Sequence, residues 1–201
     1  ANCTKPNNDF YSMLCNNKAD VVPFLDPLGS NAEVISGEYL NSESLQTAYS
    51  INNGLPIDCN EFENGYLAGH NDRKTSAIAQ RFDIGRAELK AVYVAPKKVE
   101  SVNRRSIEII VWSGDDKPEN ILYSTTVSNI NLSAGKQTRI QFDKPVVVDG
   151  SFYVGARWTY DEPIDKVAFY HQVGQGGLFY IDDTWRSASQ LGLPLDVSLF
   201  F

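Results

Sequence analysis

From about Tyr66 onward, apolar and polar residues alternate in short runs bounded by turn formers. Ile107, Ile109 and Val111 alternate with Ser106, Glu108 and Ile110. Phe152, Val154, Ala156 and Trp158 alternate with Ser151, Tyr153, Gly155 and Arg157. Similar runs centre on Leu89–Tyr93, Val167–His171 and Leu195–Phe201. A period of two places successive side chains on opposite faces of a sheet. The pattern therefore predicts one inward set: Ile107, Ile109, Val111, Phe152, Val154, Trp158, Val167, Phe169, Val197 and Leu199.

Turn signals separate the runs, among them Asp83-Ile84-Gly85, Ser113-Gly114-Asp115, Asp143-Lys144-Pro145 and Gly174 to Gly177. Val148-Asp149-Gly150-Ser151 reads as a tight hairpin, because Asp-Gly tolerates positive φ. Many short strands at a spacing of about 8–12 residues predict an all-β fold. The expected architecture over residues 65–201 is a two-sheet antiparallel sandwich, jelly-roll or immunoglobulin-like.

Residues 1–64 read differently. Asn7-Asn8-Asp9, Asn16-Asn17, Asp26-Pro27 and Asn52-Asn53-Gly54 are closely spaced breakers, and the apolar pieces between them are short. An irregular N-terminal arm or linker is expected, with a helical turn or two around Ser42–Tyr49, where Ser42 can cap. All three cysteines, Cys3, Cys15 and Cys59, fall in this arm. One disulfide with a thiol left over is expected, against the alternative of three reduced thiols. Their spacing fits no zinc motif.

Composition narrows the partners. Of 201 residues, 42% are hydrophobic, which is enough for a core, and the net charge is -7. A sequence pI near 4.8 argues against nucleic acid, whose phosphates call for a basic face. No apolar run reaches the roughly 18 residues of a membrane-spanning helix, so no membrane insertion is expected. Ala1-Asn2-Cys3-Thr4 has no basic and apolar leader pattern, which suggests a mature or trimmed form.

Candidate chemistry lies in the loops. His70 sits in Gly69-His70-Asn71-Asp72 and His171 ends a strand; neither belongs to HExxH, and no GxSxG elbow occurs. A Cys59–His70 pair and the carboxylate pairs Asp115-Asp116, Asp161-Glu162 with Asp165, and Asp182-Asp183 keep a hydrolase as an alternative. Calcium favours hard oxygens on loops, and Asp115, Asp116 and Asn120 offer them for a structural ion. Trp185, with Asp183 and Arg186 beside it, fits a glycan contact: an aromatic face for the sugar ring and polar groups for its hydroxyls. Trp112 and Trp158 fit the core better. Asn2-Cys3-Thr4 and Asn131-Leu132-Ser133 match the N-glycosylation pattern.

Four ordered blocks carry a resemblance. They are Gly65-Tyr66-Leu67-Ala68-Gly69-His70-Asn71, Ala79-Gln80-Arg81-Phe82, the stretch from Ile110 through Trp112-Ser113-Gly114-Asp115-Asp116 to Tyr123, and Phe152-Tyr153-Val154-Gly155. Together, over Gly65 to Phe201, they resemble the β-sandwich accessory modules of large secreted surface proteins of Bacteroidetes. In that family such modules often follow a peptidase domain or accompany adhesin repeats. The resemblance implies a secreted or cell-surface location and a non-catalytic role. The implied partners are neighbouring domains of a larger surface protein, a glycan or a host protein. The expectation is thus an interaction module, with a carbohydrate-binding module and a secreted hydrolase as alternatives.

Overall fold

A computed structural model describes residues 61–199 and 201. The arm, the Ser42–Tyr49 turn, the pairing of Cys3, Cys15 and Cys59, and the Asn2 sequon lie outside the described residues. Within them, 59% of residues are in strands, joined by two single turns of 3-10 helix, with no α-helix.

Twelve strands follow in chain order: β1 (Glu61–Phe62), β2 (Gly65–Tyr66), β3 (Ala77–Val94), β4 (Pro96–Glu100), β5 (Ser106–Ser113), β6 (Asn120–Ser128), β7 (Thr138–Arg157), β8 (Lys166–Phe169), β9 (His171–Val173), β10 (Gly177–Ile181), β11 (Thr184–Ser187) and β12 (Val197–Leu199). Six form one antiparallel sheet in the order β11-β10-β3-β7-β5-β6. The pairs β4–β8 and β9–β12 lie outside that sheet. Val99, Val167, Phe169, Val197 and Leu199 from these pairs share one apolar cluster with the six-stranded sheet, so the fold is an all-β sandwich. All ten residues predicted to face inward belong to this cluster, and none is more than 5% exposed.

Two strands are far longer than the alternation predicted. β3 runs for 18 residues and β7 for 20, paired along nearly their whole length. The expected hairpin at Asp149-Gly150 does not form. Gly150 sits inside β7 opposite Ile84, and the register shifts just beyond it, between Ile84 and Ala87. Its φ of +78 serves a bulge instead of a turn. Asp83-Ile84-Gly85 and Asp143-Lys144-Pro145 are likewise absorbed into β3 and β7, with a second shift between Leu89 and Ala91. Residues with turn chemistry here fall inside two long strands, at or near the two register shifts of their pairing.

Real two-residue hairpins occur elsewhere. Glu63 and Asn64, at φ 43 and 56, join β1 to β2, so residue 64 lies in a tight turn. Asp182 and Asp183, at φ 51 and 57, join β10 to β11. Positive φ at both central positions is the turn that matches strand twist.

The other face of the six-stranded sheet holds a smaller cluster of Ala79, Ile110, Trp112 and Tyr153, with Leu178 and Trp185 packed against it. Trp112 is thus 5% exposed but belongs to this cluster, whereas Trp158, at 4%, belongs to the main one.

Candidate functional site: a polar cavity at one end of the sandwich

The site begins with a glycine. Leu67–His70 runs beside β8: Phe169 N–H donates to Ala68 C=O at 2.8 Å and His70 N–H to Val167 C=O at 3.1 Å. A Cβ on Gly69 would stand 2.5 Å from the Val167 carbonyl oxygen, so only glycine permits this approach. Asn71 locks the following loop. Its Nδ2 donates to Tyr66 C=O at 2.9 Å and to Thr75 Oγ1 at 2.7 Å. These contacts carry the His70 ring inside, where it is 5% exposed.

His70 Nδ1 accepts the Val167 N–H at 3.1 Å and also lies 3.3 Å from the Val167 carbonyl oxygen. Burial is the main cause of a pKa below the ordinary histidine value, so the ring is neutral near pH 7. The ring stacks on Trp158 at 5.4 Å and meets Tyr160, tilted, at 4.9 Å. Trp158 stacks in turn on Phe169 at 6.2 Å. Tyr160 is held in place, its hydroxyl donating to Thr75 C=O at 2.8 Å and accepting the Asn71 N–H at 3.2 Å.

Beside these rings lies a cavity of about 340 Å³. Its walls come from four separate segments: His70; Arg104–Ile107, from the end of the β4–β5 connection into β5; Asn129 in the 3-10 turn after β6; and Trp158, Thr159, Asp161, Ile164 and Asp165 between β7 and β8. Among the described residues, five buried polar side-chain atoms make no hydrogen bond of good geometry, and three belong to this lining: Asn129 Oδ1, His70 Nε2, which has only a poor contact with the Thr159 backbone, and Trp158 Nε1, which has only a poor contact with Tyr160. Asp165 braces the wall. Its Oδ1 accepts the Asn103 N–H at 2.7 Å and its Oδ2 the Arg105 N–H at 2.7 Å. Loss of water contact raises its pKa, but these hydrogen bonds outweigh that, and the carboxyl lies below its ordinary value. The Arg105 guanidinium is tied to the backbone carbonyls of Glu162 and Pro163 at 3.1 and 3.2 Å. Arg104 and Asp161, exposed members of the lining with opposite charges, make no ion pair among the described residues.

The residues predicted from sequence lie elsewhere. Trp185 is half-buried in β11 and meets Trp112 at 5.7 Å and Tyr180 at 5.2 Å, edge to face. Asp183 is exposed in the β10–β11 turn. Arg186, opposite the core residue Phe179, points to the other face from Trp185 and reaches Asp182 at 3.8 Å. These three share a hairpin but do not converge on one face. Asp115 and Asp116 are exposed in the β5–β6 loop, and Asn120 opens β6. Among the described residues, no group of three or more His, Cys, Asp or Glu side chains is placed to hold a metal. His171 is buried in β9, away from the cavity lining. Of the cavity residues, the sequence singles out His70, Ile107, Trp158, Asp161 and Asp165, each for a separate reason and without joining them. Arg104 and Asn129 carried no signal at all.

No family model, curated protein or solved structure matches this chain.

Proposed function

We propose that the chain is a non-catalytic binding module, serving as an accessory domain of a larger secreted or cell-surface protein. One observation carries the binding reading. The cavity lining holds one buried acceptor with no partner among the described residues, Asn129 Oδ1, and two buried ring nitrogens, His70 Nε2 and Trp158 Nε1, whose contacts with the Thr159 backbone and the Tyr160 hydroxyl are too long or too bent for good hydrogen bonds. Such atoms cost about 1–3 kcal/mol each when left unmade, and a ligand or water that meets them recovers that cost. In the same lining, the exposed Arg104 and Asp161 have no ion-pair partner among the described residues. The mixture of donors and acceptors, with charges that cancel, favours a neutral ligand whose groups both give and accept hydrogen bonds. Sugar hydroxyls do both, so the carbohydrate-binding reading is favoured at this cavity. The Trp158 ring is buried and stacks on His70 and Phe169, so recognition here runs through hydrogen bonds instead of stacking on an open indole face.

A glycan array read with the full chain and with Arg104→Ala/Asp161→Ala tests this. Both changes are on exposed residues, so the fold is preserved. Retention of a glycan by the parent, weakened at least tenfold in the variant, supports the site. Loss on Trp185→Ala alone would move binding to the outer sheet face. Retention of no glycan would reject the sugar reading. Turnover of a peptide or glycan library, abolished by His70→Ala, would overturn the non-catalytic reading.

A further inference from the structure

The six-stranded sheet ends in two edge strands, β11 and β6, whose outer backbones are guarded very differently. β11 is four residues long, and its Ser187 N–H donates to Gln190 Oε1 at 2.8 Å. β4, which pairs only with β8, carries Pro96, Lys97, Lys98 and Glu100. Short length, proline and charge are the usual guards of an open edge. β6 has none of them. Its nine residues, Asn120-Ile121-Leu122-Tyr123-Ser124-Thr125-Thr126-Val127-Ser128, include no charge, proline or glycine. Among the described residues β6 pairs with β5 alone. Ile121, Leu122, Ser124 and Thr126 are exposed, Ile121 at 48%. The one irregularity is a bulge at Leu122, and Tyr123–Ser128 pairs regularly with Ser106–Val111.

We infer that β6 docks a second copy of this chain, strand to strand and antiparallel, about a two-fold axis at Thr125. A two-fold interface must be complementary to itself. Register with β5 puts Tyr123, Thr125 and Val127 opposite the core residues Val111, Ile109 and Ile107, and Ser124 and Thr126 opposite Ile110 and Glu108. The axis then sets Tyr123 against Val127 of the partner subunit, Thr125 against its own copy, and Ser124 against Thr126 of the partner subunit. Aromatic with β-branched and hydroxyl with hydroxyl are the favourable cross-strand pairs, and each face stays matched. The chain carries a net charge of -7, yet this strip carries none, so the two copies meet without like charges opposed. A foreign strand would have to supply its own match; this one already matches itself.

Sedimentation analysis of the full chain over a concentration series tests the inference. The parent's weight-average mass rises with concentration from 22.4 kDa toward twice that value. Ser124→Lys/Thr126→Lys sets lysine against lysine twice across the axis, and the mass stays monomeric at every concentration. Ser124→Lys/Thr126→Glu sets lysine against glutamate in the same register, and the rise returns. A parent that stays monomeric throughout would overturn the inference. So would equal association of all three proteins, or a Lys/Glu variant that does not recover.

Discussion

Phe152 offers the sharpest test of the core. It lies on β7 directly opposite Phe82 on β3, and it is 3% exposed. The two rings stack with centroids 5.3 Å apart and planes 19° from parallel. Phe152→Ala removes a buried ring from the strand that lies between β3 and β5, where neighbours hydrogen-bonded on both sides cannot close the gap. A truncation of this kind costs about 3–5 kcal/mol, the lost transfer energy plus the cavity left behind. Of that, roughly 0.5–1.5 kcal/mol belongs to the ring pair itself. Set against a stability of about 5–15 kcal/mol for an ordinary domain, the variant stays folded but only narrowly. With a urea dependence near 2 kcal/mol per molar, the midpoint falls by about 2 M. The assay is urea unfolding followed by tryptophan fluorescence, since Trp112, Trp158 and Trp185 all sit in packed surroundings. Phe82→Ala and the double variant complete a cycle. A loss below about 1.5 kcal/mol for Phe152→Ala, or strictly additive single losses, would refute this account of the packing.

Three further outcomes follow from the same geometry. Gly155→Ala would bring its Cβ to 1.9 Å from the Ile78 carbonyl oxygen, so it destabilises by at least about 1–3 kcal/mol in the same unfolding assay, and a neutral result would contradict the β3–β7 approach. Asp165 has a folded pKa below its unfolded value, so its contribution is present above the unfolded pKa and fades as pH falls through the folded one; Asp165→Asn therefore shows a weaker acid dependence of the melting midpoint than the parent, and identical profiles would refute the bracing role. Asp115 and Asp116 stand exposed in the β5–β6 loop with Asn120 at the start of β6, so an ion held there raises the melting midpoint in saturating calcium above its value with a chelator, and an unchanged midpoint would remove the site.

The legibility of the chain divides along the range of the interactions involved. Faces were readable because side-chain direction in a strand is a local property: Ile107, Ile109 and Val111 point one way whatever strand lies beside them. Burial of the whole predicted set follows from that, and the sandwich follows from having so many such faces to cover. Asp149-Gly150 was misread for a matching reason. Positive φ suits a hairpin turn and a bulge equally, and the choice belongs to the residue opposite, here Ile84 at a distance of 66 positions. Local chemistry permits both outcomes, and the long pairing of β3 with β7 selects one.

The cavity shows the same divide. Gly69 and His70 stood out as residues in a loop, but nothing local predicts that Val167 will take the His70 ring nitrogen, or that Arg104, Asn129, Trp158 and Asp161 will line one space. Those residues come from four segments spread over Arg104 to Asp161 and beyond, and no spacing rule joins them. Trp185 and Arg186 point to opposite faces of β11 for a reason that alternation already contains, that adjacent strand residues face opposite ways, while Asp183 sits in the turn before them. By itself the sequence determined the strand faces, the all-β class and the charge-free character of β6. The tertiary structure alone decided which strands run on past their turn signals, which edge is unpaired among the described residues and where buried polar atoms gather, because each depends on contacts between residues far apart in the chain.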